Sequence, residues 1–273
     1  MMYSFMKTLK KIFHVFSYNI LKTIYFNFRV LPFHEARHLP IKIGYHVDII
    51  GLCKGCVRIN KKNKLRRGMI KLGITPLPMI STKGQYTLLR FNKGGRMIFG
   101  ENVHIHNGVS LIVSEGGMIN IGSDSMINQH TKIYANKAVN IGNHCRIGWE
   151  CQILDSDCHL VYNDNKKTIS TPIHPIHIGD NVWIASRSTI MKGVTIPSFS
   201  IISGNSLVNR SFADITTSGN IFAGSPATLK ATGFYRLLDG KFEFEMKQHF
   251  LSSEETVFDT SEIVNFNYTD YLF

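Results

Sequence analysis

Residues 175–208 read PIHIGDNVWIASRSTIMKGVTIPSFSIISGNSLV, and an apolar residue recurs there at every sixth position. The recurring residues are Ile178, Ile184, Ile190, Ile196, Ile202 and Val208. An α-helix repeats near 3.6 residues and a simple strand repeats at two, so a period of six is typical of neither alone. The period predicts a solenoid in which a short strand uses about six residues before the chain turns a corner.

The same period of six occurs earlier in the chain, where it is accompanied by glycine-containing corners. The earlier members are Ile121, Ile127, Ile133, Ile141, Ile147 and Ile153. An apolar-x-apolar-Gly signature ends at Gly73, Gly100, Gly122, Gly142 and Gly179. Glycine tolerates a positive φ, with Asn and Asp next best, so we expect the chain to turn at these glycines.

The pattern resembles the hexapeptide repeat of the left-handed parallel β-helix acyltransferases, in which three repeats form a triangular coil of eighteen residues. The resemblance implies a mainly β fold. The 37 residues from Gly142 to Gly179 exceed one coil by 19, which predicts a long loop at residues 155–175. Long loops are either functional or disordered. This loop contains apolar residues such as Tyr162 and Ile169, so we predict an ordered, protruding active-site loop.

We expect four segments along the chain. Residues 1–40 form a basic N-terminal helical segment that covers the open strand edges at one end of the solenoid. Residues 41–95 form irregular first coils with insertions, residues 96–215 form the β-helix with its loop, and residues 216–273 form a C-terminal extension.

The charge of the chain is unevenly distributed. Its net charge is +12, and residues 1–101 contain nineteen Lys or Arg against three acids. This imbalance predicts an anionic partner, which could be a membrane surface, a nucleic acid, an acidic glycan or a cofactor phosphate. The basic run at residues 61–67 has no interleaved aromatic residue, so we expect no nucleic-acid partner.

The N-terminal residues 1–28 contain apolar side chains mostly three or four positions apart, next to several lysines. The uncharged run at residues 12–21 is too short to span a bilayer. The pattern predicts an amphipathic helix, either lying on an anionic membrane or packed as an end-cap on its own domain. We expect a cytoplasmic protein with free cysteines, peripheral at the inner membrane face in the first case.

His159 follows Asp155 and Asp157 at the start of the long loop. If this segment is extended, Asp157 and His159 share a face because side chains alternate. A carboxylate beside an imidazole fixes its tautomer and stabilises the imidazolium, and such a histidine can take a proton from a hydroxyl. We predict that His159 is a general base with one of the two acids as its orienting partner.

Three motifs occur in order: ILDSDCH at 153–159, GDNVWI at 179–184 and GSPA at 224–227. Together they resemble the sugar O-acetyltransferases of the hexapeptide family, the maltose and galactoside acetyltransferase group, over roughly residues 96–232. The resemblance implies an acetyl-CoA-dependent O-acetyltransferase that acts on a hydroxyl of a sugar or surface-glycan precursor by direct transfer. In that family the loop histidine is the base, which corresponds to His159.

The resemblance also implies a homotrimer with active sites between subunits, acetyl-CoA as acyl donor, a sugar or glycan acceptor and no metal. The implied cofactor contacts are Trp183, Ala185, Ser203, Gly204, Pro226, Ala227 and Lys230. We expect a backbone N–H near Trp183 to stabilise the oxyanion. Trp149 and Asn128 are candidate acceptor contacts, although Trp149 also fits a surface aromatic and Asn128 a structural corner residue.

Two other classes of function remain open. A γ-carbonic-anhydrase-like metalloenzyme resembles this fold but needs three interfacial histidines, two of them spaced His-x4-His, whereas this chain offers His174-x2-His177 and the distant His159. A non-catalytic hexapeptide scaffold would leave the histidine loop and the tryptophan motif without a purpose.

Overall fold

The computed structural model describes residues 18–75, 84–262 and 266–272. Three α-helices lie in these ranges: α1 (Ile20–Val30), α2 (Phe33–Ala36) and α3 (Gly240–Ser252). Two short 3-10 helices, Thr260–Glu262 and Tyr268–Tyr271, follow α3. Between α2 and α3 the chain consists of short strands.

The strands, in chain order, are β1 (Ile41–Ile43), β2 (Val47–Ile50), β3 (Val57–Ile59), β4 (Ile70–Leu72), β5 (Thr87–Phe91), β6 (Arg96–Phe99), β7 (His104–Ile105), β8 (Ser110–Val113), β9 (Met118–Ile121), β10 (Met126–Ile127), β11 (Lys132–Ala135), β12 (Ala138–Ile141), β13 (Arg146–Ile147), β14 (Gln152–Leu154), β15 (Val161–Asn163), β16 (Thr168–Ser170), β17 (Ile176–Ile178), β18 (Trp183–Ile184), β19 (Thr189–Ile190), β20 (Thr195–Ile196), β21 (Ile201–Ile202), β22 (Leu207–Val208), β23 (Ile221–Gly224) and β24 (Ala227–Ala231).

The strands form three long sheets, which are the three faces of the solenoid. Face A has nine strands in the order β1-β4-β7-β10-β13-β18-β21-β23-β24, face B has β2-β5-β8-β11-β14-β19-β22, and face C has β20-β17-β12-β9-β6-β3. Pairing within the faces is parallel except between β23 and β24. Ile178 pairs with Ile196, eighteen residues later, so one coil uses three six-residue units. This is the left-handed parallel β-helix that the repeat predicts.

The core is a stack of the repeated apolar residues. Ile178, Ile184, Ile190, Ile196 and Ile202 are all buried, as their period of six predicts. Cys145 and Cys151, which are also six residues apart, are buried as well. Apolar burial of this kind contributes roughly 25 cal/mol per Å².

Of the five signature glycines, Gly73 has the positive φ that we predicted, with a φ of +66°, whereas the other four have a different role. Gly122, Gly142 and Gly179 do not have a positive φ. A Cβ on Gly142 would lie 2.6 Å from the carbonyl carbon of Gly179, so glycine is needed because the next coil stacks so closely. The positive φ belongs to the residue two positions later, as in His144 and Asn181.

Helix α1 covers the exposed edge of face A at the first coil. The Asn27 side chain donates to the carbonyl oxygen of Ile41 and accepts from its N–H, at 2.7 and 3.1 Å. The Thr23 hydroxyl accepts from the N–H of Ile43 at 3.0 Å. The backbone groups of the edge strand β1 are therefore paired with side chains, which blocks edge-to-edge association.

Only part of the predicted amphipathic segment can be described, because residues 1–17 lie outside the described residues. In α1, Phe26 and Val30 are buried, while Leu21, Ile24 and Phe28 are exposed. The helix thus acts as an end-cap through one face and presents apolar side chains to solvent on the other. In the part of the chain that the structure describes, no helix is long and apolar enough to cross a membrane.

Candidate active site

The long loop is an ordered hairpin. Strands β15 and β16 pair antiparallel, with Tyr162 opposite Ile169. At its base, Ser156 and Ile173 form an antiparallel bridge, and the Asp157 N–H donates to the Pro172 carbonyl oxygen at 2.9 Å. The hairpin leaves four apolar side chains more than half exposed: Leu160, Val161, Tyr162 and Ile169.

Asp155 anchors the hairpin to the coil below it. Its side chain is fully buried. One carboxylate oxygen accepts from the Asn136 N–H at 2.7 Å, and the other accepts from the N–H groups of Lys137 and Ala138 at 2.7 and 2.8 Å. Both oxygens of Asp155 are therefore engaged by backbone N–H groups, which is a structural position, and its predicted role as the orienting partner of His159 stays a prediction.

Asp157 anchors the hairpin to the coil above it. Its carboxylate lies 2.5 Å from the Lys192 ammonium. The same ammonium donates to the Thr171 carbonyl oxygen on the returning limb, at 3.0 Å. Lys192 thus joins the two limbs where they leave the β-helix, and sequence reasoning missed this residue.

His159 lies on the exposed surface of the hairpin, two residues beyond Asp157. The segment is not extended, because Cys158 between them has a φ of +63°. The condition for Asp157 and His159 to share a face is therefore not met. Within the described residues, no hydrogen-bond partner of the His159 ring is found.

Several of the predicted cofactor residues lie at one corner of the β-helix. This corner, which joins faces A and B, is called the AB corner here and comprises residues 106–109, 128–131, 148–151, 185–188 and 203–206. Ala185 and Ser203 occupy equivalent places in successive coils, since the Ala185 N–H donates to the Ile202 carbonyl oxygen at 2.8 Å. Gly204 is exposed beside them.

Trp183 lies in strand β18 on face A, which leads directly into the AB corner. Its side chain is 40% exposed. The N–H groups of Trp183 and Ala185 both donate to the next coil, to the carbonyl oxygens of Ser200 and Ile202. Neither N–H can bind an oxyanion while these hydrogen bonds between the coils are intact. Our expectation of a backbone donor near Trp183 therefore does not hold for these two groups.

The segment from Gly224 to Ala227 forms the tight turn between β23 and β24, next to the last coil of the AB corner. The Gly224 N–H donates to the Ser206 hydroxyl at 3.3 Å, and the Ser225–Pro226 peptide is cis. Ala227 is buried and Pro226 is exposed. Lys230 lies farther along β24, beyond the turn, and is exposed.

Both candidate acceptor residues also lie at the AB corner. Trp149 is half-buried, and its carbonyl oxygen accepts from the Arg187 N–H of the next coil at 3.0 Å. The Asn128 amide donates to the Ile147 carbonyl oxygen at 2.9 Å, which is the structural corner role that we considered.

Within one chain, the two halves of the site are apart. Strand β14 runs from the AB corner to the corner that carries the hairpin, so the extended chain takes four residue steps from Cys151 to Asp155. At about 3.3 Å per residue, the two corners are roughly 13 Å apart. Among residues 18–75, 84–262 and 266–272, no group of three or more His, Cys, Asp or Glu is arranged to hold a metal ion.

Comparisons with known proteins agree with this description. No protein-family model matches the chain. The galactoside O-acetyltransferase of Escherichia coli (strain K12) is 33% identical over 111 residues, which are 41% of this chain and 53% of the relative. An uncharacterized 24.8 kDa protein in the cps region of Klebsiella pneumoniae is 28% identical over 158 residues, 58% of this chain and 64% of the relative. The chain thus spans between half and two thirds of the length of these curated relatives.

Among solved structures, the polysialic acid O-acetyltransferase OatWY is 17% identical and aligns with a TM-score of 0.51, over 77% of this chain and 94% of its own. At this identity the likeness concerns the fold, and it agrees with the β-helix described above. Together, the comparisons confirm that the chain resembles the hexapeptide sugar O-acetyltransferases.

Proposed function

We propose that this protein is an acetyl-CoA-dependent O-acetyltransferase that acts on a hydroxyl of a sugar or surface-glycan precursor. The observation that carries the proposal is the ordered hairpin with an exposed His159, together with the AB corner, where Ala185 and Ser203 occupy equivalent places in successive coils and Trp183 lies on the strand that enters the corner. The similarity to a galactoside O-acetyltransferase supports this reaction class.

In the proposed reaction, an imidazole nitrogen of His159 takes the proton of a sugar hydroxyl while the hydroxyl oxygen attacks the thioester carbonyl carbon. The resulting tetrahedral intermediate collapses, the carbon–sulfur bond breaks, and the thiolate of CoA leaves. The imidazolium returns its proton to that thiolate. Atoms and charge balance without a further reactant. The protein therefore has to bind and orient the two substrates and to deprotonate the sugar hydroxyl.

We propose that the active site forms between subunits of a homotrimer. The hairpin and the AB corner are roughly 13 Å apart within one chain, as estimated from the strand between them. The hairpin also exposes Leu160 (67%), Tyr162 (54%) and Ile169 (60%). Docking the hairpin on a neighbouring subunit buries these side chains and brings His159 to a cofactor corner.

The proposed donor site follows the AB corner toward the C-terminal coils. Trp183 contacts the acetyl-bearing arm, the Ala185, Ser203 and Gly204 backbone lies along the pantetheine, and the exposed Pro226 turn lies near the nucleotide. This order agrees with the stacking of the coils, in which the Ser203 N–H donates to the Phe222 carbonyl oxygen of the following strand.

Thiol release from acetyl-CoA, measured over free sugars, nucleotide sugars and oligosaccharides, tests the proposal. Loss of a general base lowers the rate about 10²–10⁴-fold, so we expect His159→Ala to abolish transfer and His159→Asn to retain little. His174→Ala is the matched control, because it removes an exposed imidazole at the base of the same hairpin. A His159→Ala protein with near-normal kcat would exclude this residue as the base.

A further inference from the structure

Face A carries a column of outward-facing basic side chains. In adjacent strands, Lys71 pairs with His104, His104 with Met126, Met126 with Arg146, and Arg146 with Trp183. Their neighbours along each strand, such as Ile105 and Ile147, point into the core. Strands are about 4.8 Å apart, so the column from Lys71 to Trp183 is about 19 Å long.

The C-terminal segment adds a fourth basic residue to this column. Arg236 is half-buried and lies close enough to Arg146 for the two charges to affect each other. Burial first, and then repulsion by Arg146, lowers the pKa of Arg236 to about 10. The basic stripe is defined here as Lys71, His104, Arg146 and Arg236.

The positive charges of the basic stripe are not matched by carboxylates. In the described ranges, no salt bridge involves Lys71, Arg146 or Arg236. Asp124 acts to raise the pKa of Arg146, but burial outweighs it and the pKa is lowered. Glu243 acts to raise the pKa of Arg236, but burial and the charge of Arg146 outweigh it. One nitrogen of Arg146 donates to the Asp124 and Cys145 carbonyl oxygens, and the remaining nitrogens have no described acceptor.

His104 supplies a neutral polar group in the middle of the stripe. Burial, followed by the charges of Lys71, His106 and Arg146, lowers its pKa to about 4. At neutral pH its imidazole is therefore uncharged and can both donate and accept a hydrogen bond. Half-buried cations with free donors next to a neutral imidazole fit a ligand that carries both anionic groups and hydroxyls.

The basic stripe and the proposed donor site lie on opposite sides of Trp183. The proposed donor site runs from Trp183 toward the C-terminal coils, whereas the stripe runs from Trp183 toward the N-terminal coils. Beyond Trp183 the outward column on face A becomes apolar, with Ile201 and Ile221. A chain bound along the stripe therefore approaches the thioester from the side opposite to the cofactor.

We propose that the basic stripe binds an acceptor glycan that carries carboxylates, and that it directs one of the glycan's hydroxyls toward Trp183. This inference rests on the proposed function for the identity of the acceptor. It assigns the charges of Lys71, Arg146 and Arg236 to recognition of an acidic glycan instead of a membrane surface or a cofactor phosphate.

Binding of a galacturonate hexamer and of its carboxyl-reduced, neutral counterpart, measured by isothermal titration calorimetry, tests the proposal without requiring turnover. The wild-type protein should bind the acidic hexamer in a salt-sensitive manner and the neutral hexamer at least about tenfold more weakly, since hydrogen bonds to charged groups are the stronger ones. Lys71→Gln, Arg146→Gln and their combination should progressively remove this preference. Lys132→Gln removes an exposed lysine from face B and is the matched control.

The variants separate the outcomes. The Lys71 side chain makes no hydrogen bond or ion pair within the described residues, so Lys71→Gln tests the stripe even if Arg146→Gln fails to fold. Acetyl-CoA affinity should stay within about twofold of wild type. Weaker acetyl-CoA binding by the stripe variants would assign the stripe to the cofactor. Loss of their binding to anionic vesicles, with hexamer binding unchanged, would assign the stripe to a membrane. Either result overturns the proposal.

Equal affinity for the acidic and the neutral hexamer also overturns the proposal. If the acidic hexamer binds through the stripe but no sugar is ever acetylated, the binding site stands and the proposed function fails. If acetyl transfer occurs at the same rate in wild type and in the double variant on acidic acceptors, the proposed function stands and the stripe fails.

Discussion

Asn in place of Asp155 is expected to destabilise the fold more than it slows the chemistry. The Asp155 carboxylate is fully buried, and its two oxygens accept three backbone N–H groups at 2.7–2.8 Å. An asparagine keeps one oxygen and turns an NH₂ group toward the remaining N–H donors. At least one N–H then faces another donor, and the other bonds lose the assistance of the negative charge.

The magnitude follows from these contacts. Hydrogen bonds to a charged group contribute about 1.5–3 kcal/mol each, and an unsatisfied buried donor costs about 1–3 kcal/mol. The three N–H groups are only partly buried, so water compensates for some of the loss. We expect Asp155→Asn to lower the free energy of unfolding by about 2–4 kcal/mol.

Equilibrium unfolding in urea, followed by far-UV circular dichroism, measures this loss. Asp164→Asn is the matched control, because that carboxylate lies on the same hairpin and is 78% exposed in its pair with Lys167. An exposed pair contributes at most about 1 kcal/mol. If Asp155→Asn unfolds like wild type while thiol release drops as far as in His159→Ala, then Asp155 acts in the chemistry and the structural reasoning fails.

Three further predictions concern the hairpin, the assembly and the N-terminal helix. Lys192→Met should lower kcat about 10–100-fold with little change in the KM for acetyl-CoA, because the substitution releases both limbs of the hairpin. Lys192→Arg should retain most of the wild-type rate, and equal rates in the two variants would contradict this role of Lys192. Light scattering should give three times the 31.0 kDa chain mass, and Leu160→Asp with Val161→Asp should give monomers; a monomeric wild type would end the shared-site proposal. Leu21→Asp with Phe28→Asp should abolish sedimentation with anionic vesicles at an unchanged melting temperature, since both side chains are exposed; a lower melting temperature would show that this face is packed.

The coil architecture could be predicted from the sequence because its cause is periodic. Every sixth residue points inward, so Ile184, Ile190 and Ile196 had to be apolar, and they are buried. The signature that ends at Gly73 lies on a different face of the solenoid from the other four. It follows β4 on face A, whereas Gly100 follows β6 on face C, so the distance between these two glycines does not measure one coil.

The roles of the two loop acids could not be predicted from local spacing. Asp155 and Asp157 are two residues apart and read alike beside His159. Their partners are the N–H groups of residues 136–138 in one coil and Lys192 in another, so stacking decides their roles. The turn at Cys158 adds a second local cause, since its positive φ rotates His159 away from the alternation of a strand.

The coil register contains more information than the period alone. Ile153 pairs with Ile190, a shift of 37 residues, so the register brings Lys192 to the base of the hairpin, where it contacts Asp157. Counting four residues beyond Gly100, Gly122, Gly142 and Gly179 gives His104, Met126, Arg146 and Trp183, which is the face A column. Arg236 could not be found by such counting, because it comes from the non-repetitive C-terminal extension. The periodic part of the chain therefore builds the column that leads to Trp183, and the non-periodic part adds Arg236, a second half-buried positive charge close to Arg146.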